Sequence, residues 1–542
     1  MMRYVLWLLF LSFFVVTTDG SLHVKIEQPQ LPVLAGKAQN PVMKLTFYQT
    51  GNVHDGMLER LSFSLHGTDN IEDIEYAALY EAKKNGLIDT KRELARTSCS
   101  SEGIVFENIA LERDTVACWL ALHLRDTIDL DGKIRIMPEH VKTEKGTVLL
   151  FDAVCKPLRT GVAVRQHGQD GVHTSRIPGL ITSKNGTLLL MYDARNKSSR
   201  DLQGDIDIAI NRSFDGGRTW QPMQIVLDQG EWGGLPEKYN GVSDGCILLD
   251  ETTGDIYVAG LWMYGVLDGK SGKWIPGLTE DSKQWIHQWH TRGSQPGLGV
   301  KETCQFLIVK SSDDGATWSA PVNITSATKR KEWWLFAPAP GHGLTLSDGT
   351  LLFPTQGRDG KGMPFSNITY SKDGGKTWRA SNPAYSDVTE CMAVELDDGD
   401  ILLNMRDNRN RGNTEDNGRR ICVTSDLGDT WKEHPTSRNA LIEPTCMGSI
   451  HKHVYTDNNG VQKSIYLFSN PNSVAERVCL TLKVSTDNCK TWPEEKWILL
   501  DEYKSRGYSC ITSVSEDYIG IVYESSQADL VYQRIAVDEL LK

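Results

Sequence analysis

The octapeptide Ser213-Phe-Asp-Gly-Gly-Arg-Thr-Trp220 decides the fold of this chain, because its pattern returns four more times. The later copies keep the hydroxyl residue, Asp, Thr and Trp at the same spacing: Ser311–Trp318, Ser371–Trp378, Thr424–Trp431 and Ser485–Trp492. In a tight turn, Asp bonds to the backbone of its own turn, Gly supplies a positive φ, and Trp buries a large ring. The last copy has Cys489 where the others have Gly. We interpret the octets as structural turns without a direct part in chemistry.

The octets follow apolar or alternating runs, such as 206–210, 306–309 and 480–484, so each unit reads as strand, turn, Trp and strand. The octet Asp residues lie 98, 60, 53 and 61 positions apart, which indicates a unit of about 60 residues, enough for a four-stranded blade. Six such units fill residues 160–542, the predicted six-bladed β-propeller. The long first gap contains 260–299, which we interpret as an insertion. Its tryptophans either line a sugar site or pack: Trp262, Trp274, Trp285 and Trp289.

Residues 21–156 lack the octet but contain short β-like runs, including 43–48, 61–65 and 146–151. They predict a smaller β-sandwich domain ahead of the propeller, so the whole chain is expected to be all-β. Two interpretations of this module stay open. It binds carbohydrate, or it only packs against and stabilises its neighbour.

The 542 residues carry a formal charge of −12, which disfavours nucleic-acid binding driven by phosphate attraction. An anionic small substrate is compatible if positive charge is gathered locally. Residues 1–20 combine Arg3, an apolar run and a small polar end, which is typical of a signal peptide, and no later segment predicts a membrane span. We therefore expect an exported monomer, periplasmic or extracellular.

The 11 cysteines are scattered and odd in number, without paired metal-ligand spacing. We interpret them mostly as small buried hydrophobic residues and predict no disulfide framework. No stretch offers the closely spaced oxygen ligands of a calcium loop, so we predict no metal or cofactor for catalysis.

A second set of residues lies between the octets. Arg176-Ile-Pro178, ahead of the apolar run 187–192, resembles the arginine-isoleucine-proline motif of the bacterial exo-sialidases, or neuraminidases. The octets resemble the Asp boxes of that family, and the resemblance covers nearly all of 160–542. It implies a six-bladed propeller with its site at the mouth of the central axis. It also implies a glycoside hydrolase that removes terminal sialic acid from glycans with retained configuration.

The resemblance implies that three arginines bind the carboxylate of sialic acid: Arg176, Arg406 and Arg477. Guanidinium groups present rigid donor forks that match a carboxylate. A cluster of such cations also explains how an acidic protein binds an anion.

By the same resemblance, Tyr508 is the nucleophile and Glu390 is the base that draws its proton. Sialidases with a tyrosine nucleophile are the exception to the scheme of two carboxylates that most glycosidases follow. A phenol has a reference pKa near 10 and needs a base at neutral pH. We expect the neighbouring arginines to favour the phenolate.

Asp201, on the polar loop 196–201, matches the acid/base aspartate of the family, and Arg195 matches an arginine beside the bound sugar. Asp205 and Asp207 are rivals, although the alternating run 205–210 predicts a strand on which they would be exposed. Asp193, at a strand end, is a weaker rival.

Two further matches complete the set that the resemblance implies. Glu524 corresponds to a glutamate that orients the first arginine, and Asp244 lies near the glycerol or N-acyl group of the substrate. Two alternatives remain: a trans-sialidase that uses the same residues, or a non-catalytic Asp-box propeller that only binds.

Overall fold

The computed structural model describes residues 14–17, 22–49, 57–111, 113, 115–144, 146–150, 155–284, 286–287 and 293–542. The all-β prediction is confirmed, since the described elements are almost entirely strands. The chain divides into two compact units. One comprises Met1–Ala163 with Leu500–Tyr503, and the other comprises Val164–Leu499 with Lys504–Lys542.

The N-terminal unit is a β-sandwich built from two antiparallel sheets, with strand orders β1-β2-β4-β9-β6-β7 and β12-β11-β5-β8. Alternate side chains of β2 are buried, as expected for a strand with one face on a core. Strands β3 and β10 pair with β13. The strands are β1 Phe14–Thr17, β2 Leu22–Glu27, β3 Val33–Ala35, β4 Asn40–Gln49, β5 Met57–Ser64, β6 Ile74–Ala82, β7 Ile88–Thr97, β8 Ile104–Ala110, β9 Thr115–Leu124, β10 Lys133–Ile134, β11 Met137–Thr143, β12 Gly146–Leu149 and β13 Leu158–Arg165.

The second unit contains six sheets within its described residues. The first two sheets hold β14 Thr174–Thr182, β15 Leu188–Arg195, β16 Ile206–Ser213 and β17 Gln224–Leu227, then β18 Val242–Leu249, β19 Ile256–Trp262, β20 Gln305–Ser311, β21 Val322–Asn323 and β23 Gly341–His342. The third holds β22 Leu335–Pro338, β24 Leu344–Thr345, β25 Leu351–Arg358, β26 Pro364–Ser371, β27 Arg379–Ala380 and β28 Tyr385–Ser386. The last three hold β29 Val388–Glu395, β30 Ile401–Asp407, β31 Arg420–Thr424 and β32 Lys432–Glu433, then β33 Ser449–Thr456, β34 Gln462–Pro471, β35 Leu480–Ser485 and β36 Ile498–Asp501, and finally β37 Ser509–Ser515, β38 Tyr518–Tyr523 and β39 Leu530–Ala536.

Strands of successive sheets contact one another around a closed ring. Strand β14 contacts β18, β18 contacts β25, and the contacts continue through β29, β33 and β37 back to β14. Apolar side chains fill the spaces between successive sheets, for example between the first and second. The arrangement is a β-propeller, in which the blades bury each other's faces.

Helical structure is sparse in the described residues. It comprises two short α-helices, α1 Thr325–Thr328 and α2 Val537–Leu541, and five 3₁₀ turns, Ile71–Asp73, Gln169–Gly171, Glu237–Tyr239, Asn408–Asn410 and Glu494–Lys496. Among the described residues, no helix has the length and apolar character needed to span a membrane.

The five Asp boxes connect the third and fourth strands of the first five sheets. In the first box, Asp215 accepts hydrogen bonds from Ser213 Oγ at 2.8 Å, Thr219 N at 2.9 Å and Thr219 Oγ1 at 2.6 Å. Trp220 Nε1 donates to the carbonyl of Gly217 at 3.1 Å, and Gly217 has φ +92°. The Asp contacts return in every other box. Even Cys489 adopts φ +63°, so the turn imposes the left-handed conformation on a residue that resists it.

The predicted insertion, residues 260–299, begins in the last residues of β19 and leads towards β20. Both strands belong to the second sheet. Trp262 is buried in the core between the first two sheets, and Trp274 packs against that core. Packing therefore accounts for these two residues. Trp285 and Trp289 lie outside the described residues. The prediction for the cysteines is confirmed as to burial, since nine of the 11 are buried and Cys99 and Cys479 are half-buried.

Candidate active site

Arg176 lies on β14, where a bulge interrupts the register with β15 and Ile177 adopts φ +60°. Its Nε and Nη2 atoms donate to the two carboxylate oxygens of Glu524 at 2.9 and 3.2 Å. Glu524 also accepts from the backbone N–H groups of Ile177 and Tyr508, each at 3.1 Å. Burial alone would raise the pKa of Glu524, but Arg176 and these N–H groups lower it. One ionised carboxylate thus fixes Arg176 and the backbone of Tyr508.

Tyr508 directly precedes β37, and its ring is almost fully buried. Its hydroxyl donates to Glu390 Oε1 and accepts from Arg406 Nη1 at 3.3 Å. Arg406 Nη1 also donates to Glu390 Oε2 at 2.6 Å. Glu390 sits at a bulge of β29 and Arg406 near the end of the paired strand β30. The closed ring of sheets therefore brings Tyr508 to Glu390 and Arg406, which lie more than 100 positions earlier in the chain.

The pKa of the Tyr508 phenol reflects opposing effects of its surroundings. Burial raises the pKa of the phenol well above its ordinary value, and the Glu390 carboxylate raises it further. Arg406 and Arg477 lower it, as expected, but they do not outweigh burial. The arginines thus favour the phenolate, as expected, but burial outweighs them and the protonated phenol prevails in the resting site. Tyr508 is neutral there and donates its proton to Glu390.

Arg477 completes the predicted arginine cluster. Its guanidinium carbon lies 5.5 Å from the centre of the Tyr508 ring, and that of Arg176 lies 5.3 Å from the same ring. Arg477 is anchored by donating to the carbonyl of Arg506 at 2.8 Å and to that of Thr445 at 3.3 Å. A cavity of about 350 Å³ opens beside Arg406 and Arg477. The three predicted arginines therefore surround one tyrosine.

Asp201 lies on the loop after β15, with its side chain 42% exposed. Its Oδ1 accepts from Arg195 Nη1 at 2.6 Å and lies 3.8 Å from Arg176 Nη1, while its Oδ2 lies 3.1 Å from His287 Nε2. Partial burial raises the pKa of Asp201, but His287, Arg195 and Arg176 together lower it far below its usual range. Asp201 is therefore an ionised carboxylate in the resting site.

Arg195 and Asp193 form a buried pair under this loop. Arg195 Nη2 donates to Asp193 Oδ2 at 3.0 Å, and Ser243 Oγ donates to the same oxygen at 2.6 Å. Neither Arg195 nor Asp193 has exposed surface. Asp193 cannot reach a sugar oxygen and is excluded as the acid.

The expectation that Asp205 and Asp207 are exposed is wrong, because both are buried. The polar loop folds over them, and Asn196 Nδ2 donates to Asp205 at 2.8 Å and to Asp207 at 2.9 Å. With Glu237 they place one carboxylate oxygen each within 4.8 Å of the others. Burial raises the pKa of Asp207 to about 8 and that of Glu237 to about 7, so the cluster retains protons near neutrality.

Asp244 occupies a bulge of β18 with φ +55° and is almost fully buried. Burial raises its pKa well above the usual range, and the carboxylates of Asp193, Glu390 and Asp201 raise it further. Asp244 is therefore a neutral carboxyl group at the edge of the site. Such a group can donate a hydrogen bond as well as accept one.

The structure also brings residues to the site that sequence reasoning missed. His287 reaches Asp201 from the insertion, and Ser243 and Gln356 contact Asp193 and Asp244. The insertion has no periodic pattern, and Ser243 and Gln356 lie in ordinary strand sequence. No signal in the single sequence marks these three residues.

Comparison with known proteins identifies both units. A BNR repeat-like domain model matches residues 177–504, and the model for the N-terminal domain of BNR-repeat neuraminidase matches 21–147. The chain is 40% identical to a sialidase of Bacteroides fragilis over 427 residues, which is 78% of this chain and 74% of the relative. It is 29% identical to a sialidase of Micromonospora viridifaciens over 379 residues, 68% of this chain and 52% of the relative.

Solved structures agree. A Hadza microbial sialidase superposes with a TM-score of 0.83 at 32% identity and covers 95% of this chain and 99% of its own. A Trypanosoma rangeli sialidase gives a TM-score of 0.52 at 21% identity, covering 70% of this chain and 57% of its own, which bears on the fold alone. With both units matched and this extent of identity, the chain belongs to the BNR-repeat neuraminidase family and is a glycoside hydrolase of the exo-α-sialidase type.

Proposed function

We propose that this sialidase releases terminal sialic acid from glycoconjugates with retained configuration, through a covalent bond to Tyr508. The observation that carries the proposal is the hydrogen bond from the Tyr508 hydroxyl to Glu390, enclosed by Arg176, Arg406 and Arg477. A neutral nucleophile with its base in place suits a substrate whose anomeric carbon bears a carboxylate.

In this proposal, Arg176, Arg406 and Arg477 bind the carboxylate of the substrate. Glu524 occupies one edge of Arg176 and holds its guanidinium in place before the substrate arrives. Among the described residues, the hydrogen bonds of Arg477 go to carbonyl oxygens and not to a carboxylate, so its positive charge is available to the ligand. Hydrogen bonds to charged groups contribute roughly 1.5–3 kcal/mol each, enough to select an anionic sugar. Asp244 lies nearest the remaining sugar substituents, whereas Arg195, which has no exposed surface, acts through its hydrogen bond to Asp201.

In the first displacement, the Tyr508 oxygen forms a bond to the anomeric carbon while the phenolic proton passes to Glu390. The bond from the anomeric carbon to the aglycone oxygen breaks, and Asp201 supplies the proton that this oxygen needs. The substrate carboxylate offsets the positive charge of Arg176, which raises the proton affinity of Asp201. A group that is ionised at rest can thereby act as an acid in the complex.

In the second displacement, Asp201 takes a proton from water, whose oxygen attacks the anomeric carbon. The bond to Tyr508 breaks, and Glu390 returns the proton to the phenolate. Two inversions give sialic acid of the starting configuration.

The test compares the parent with Tyr508→Phe on an α-sialoside, with the early product anomer observed by NMR. We expect the α-anomer from the parent and a fall in kcat of roughly 100-fold or more in the variant. An inverted first product overturns the retaining mechanism. Full activity of Tyr508→Phe overturns the assigned nucleophile. Transfer of the sugar to an added acceptor, in place of hydrolysis, supports the trans-sialidase alternative.

We also propose the division into a signal peptide at 1–20, a β-sandwich module at 21–156 and a catalytic propeller at 160–542, with export to the periplasm or outside the cell. The boundaries of the two matched family domains are compatible with this division. N-terminal sequencing of the exported protein should begin near residue 21. Retention of residues 1–20 in an exported, active protein would contradict the signal assignment.

A further inference from the structure

The insertion between β19 and β20 delivers a titratable side chain to the acid/base residue. His287 Nε2 lies 3.1 Å from Asp201 Oδ2, the oxygen opposite the one that Arg195 binds. Both side chains are 42% exposed, so the contact sits at the solvent side of the site, where the aglycone must leave. The two residues are 86 positions apart and meet only because the insertion folds back over the loop after β15.

The cations around Asp201 lower its pKa and so disfavour the protonated form that a general acid needs. Arg195 from β15 and Arg176 from β14 stabilise the carboxylate but cannot transfer a proton at working pH. Burial and, to a smaller extent, the carboxylates of Asp193, Glu390 and Asp201 raise the pKa of Asp244 on β18. Of the groups that contact Asp201 in the described residues, His287 is the one whose side-chain class exchanges protons between pH 5 and 8.

We propose that His287 stores the proton that Asp201 delivers to the leaving group, so that the pair functions as one acid. This inference rests on the proposed function. On substrate binding, the proton moves from His287 Nε2 to Asp201 Oδ2 and then to the aglycone oxygen, which departs as an alcohol. His287 is left neutral. When Asp201 later takes a proton from water, it returns that proton to His287, so no proton is gained or lost over the cycle.

The sign of the pH dependence follows from the same contacts. With His287 present, its imidazole can carry the proton that the pair shares. Without it, the proton must reside on Asp201, whose pKa Arg195 and Arg176 hold low. Loss of His287 should therefore move the alkaline limb of the pH profile to lower pH. The effect should be confined to substrates whose leaving group requires protonation.

The test compares His287→Gln with the parent on two substrates, a sialyl-lactose and an aryl sialoside with an acidic phenol as leaving group. We expect kcat/KM for sialyl-lactose at pH 7 to fall roughly 10- to 100-fold, while the aryl sialoside changes less than about threefold, because an acidic phenol departs without a proton. Lys283→Gln removes an exposed positive charge from the same insertion and is the matched control. It should leave both substrates and both pH profiles unchanged.

Equal losses of kcat/KM on both substrates would show that His287 only supports the loop. An unchanged kcat/KM on both would show that His287 takes no part in catalysis. A selective loss in Lys283→Gln as well would assign the effect to general charge. Each result overturns the inference. A substrate-free measurement separates its failure from that of the proposed function. In histidine-labelled protein, an exchange-protected imidazole N–H signal should vanish in His287→Gln and shift in Asp201→Asn. A parent inactive on both sialosides overturns the proposed function, whereas a missing or unmoved N–H signal overturns this inference alone.

Discussion

The Asp boxes and the active site both keep carboxylates ionised, but by opposite means. In the boxes, each Asp accepts from hydroxyl and backbone N–H groups at most four residues away. In the site, Asp201 and Glu524 are held ionised by cations that lie up to 348 positions away. A box is therefore complete once eight residues are in place, whereas the site exists only when the ring closes.

The two kinds of hydrogen-bond partner also differ in how the charge of the carboxylate responds to a ligand. Neutral donors of a rigid turn give a charge state that nothing outside the turn alters. Cationic partners give a charge state that an incoming anion changes, because it competes for the same positive charge. The boxes thus support the fold, and the site can exchange protons.

The largest expected effect comes from removing a carboxylate on the site side. Glu390→Gln removes both the proposed base for Tyr508 and the partner of Arg406, so kcat should fall at least roughly 100-fold. Steady-state kinetics on an α-sialoside measures this. Glu395→Gln, at the other end of β29, is the control, since Glu395 accepts hydrogen bonds from Ser347, away from the site. Similar losses in the two variants would contradict the assignment.

Glu524→Gln tests whether a fixed Arg176 matters for binding. The change removes the charge that pairs with Arg176 while keeping the shape of the side chain. We expect KM to rise by about 10-fold or more, since hydrogen bonds to charged groups contribute roughly 1.5–3 kcal/mol. Glu516→Gln, exposed at the turn after β37, should leave KM unchanged. An unchanged KM in Glu524→Gln would show that Arg176 needs no such partner.

On the box side, Asp215→Ala should alter stability and spare catalysis. It leaves Ser213 Oγ, Thr219 N and Thr219 Oγ1 without their acceptor, at a cost of about 1–3 kcal/mol in the free energy of unfolding. Denaturant unfolding and kinetics on the same preparation measure both. Arg218→Gln changes an exposed side chain of the same turn and should change neither the stability nor the activity. Loss of activity in folded Asp215→Ala would give the box a role beyond architecture.

The smallest effect is the acid stability of the boxes. Hydroxyl and backbone donors lower the pKa of Asp313, Asp373 and Asp426 to about 2. Because the folded-state pKa is depressed, their stabilising contribution is complete above the ordinary value and disappears as the pH falls from about 4 to 2. Melting temperatures across this range should drop, and less steeply in the triple Asp→Asn variant. An identical slope in that variant would assign acid unfolding to other groups.

The same division explains what the sequence could predict. The octets and their strands were predictable because their contacts are local, and even Cys489 fits the turn. The run 205–210 predicts a strand, and β16 does begin at Ile206. The prediction that Asp205 and Asp207 are exposed was wrong, because a neighbouring loop covers them. The arginines do lower the pKa of Tyr508, yet burial prevails, and burial cannot be read from pairs of residues. His287 depends on how an irregular insertion folds.

Tyr508 directly precedes β37 and Glu524 directly follows β38, whereas Arg176 belongs to the first sheet of the propeller. During synthesis, the early blades emerge long before the residues that hold Arg176 in place and carry the proposed nucleophile. The nascent chain therefore lacks the proposed nucleophile and the carboxylate partner of Arg176 until residues 508–524 have been made. A chain cut short before Tyr508 lacks the proposed nucleophile and is expected to be inactive.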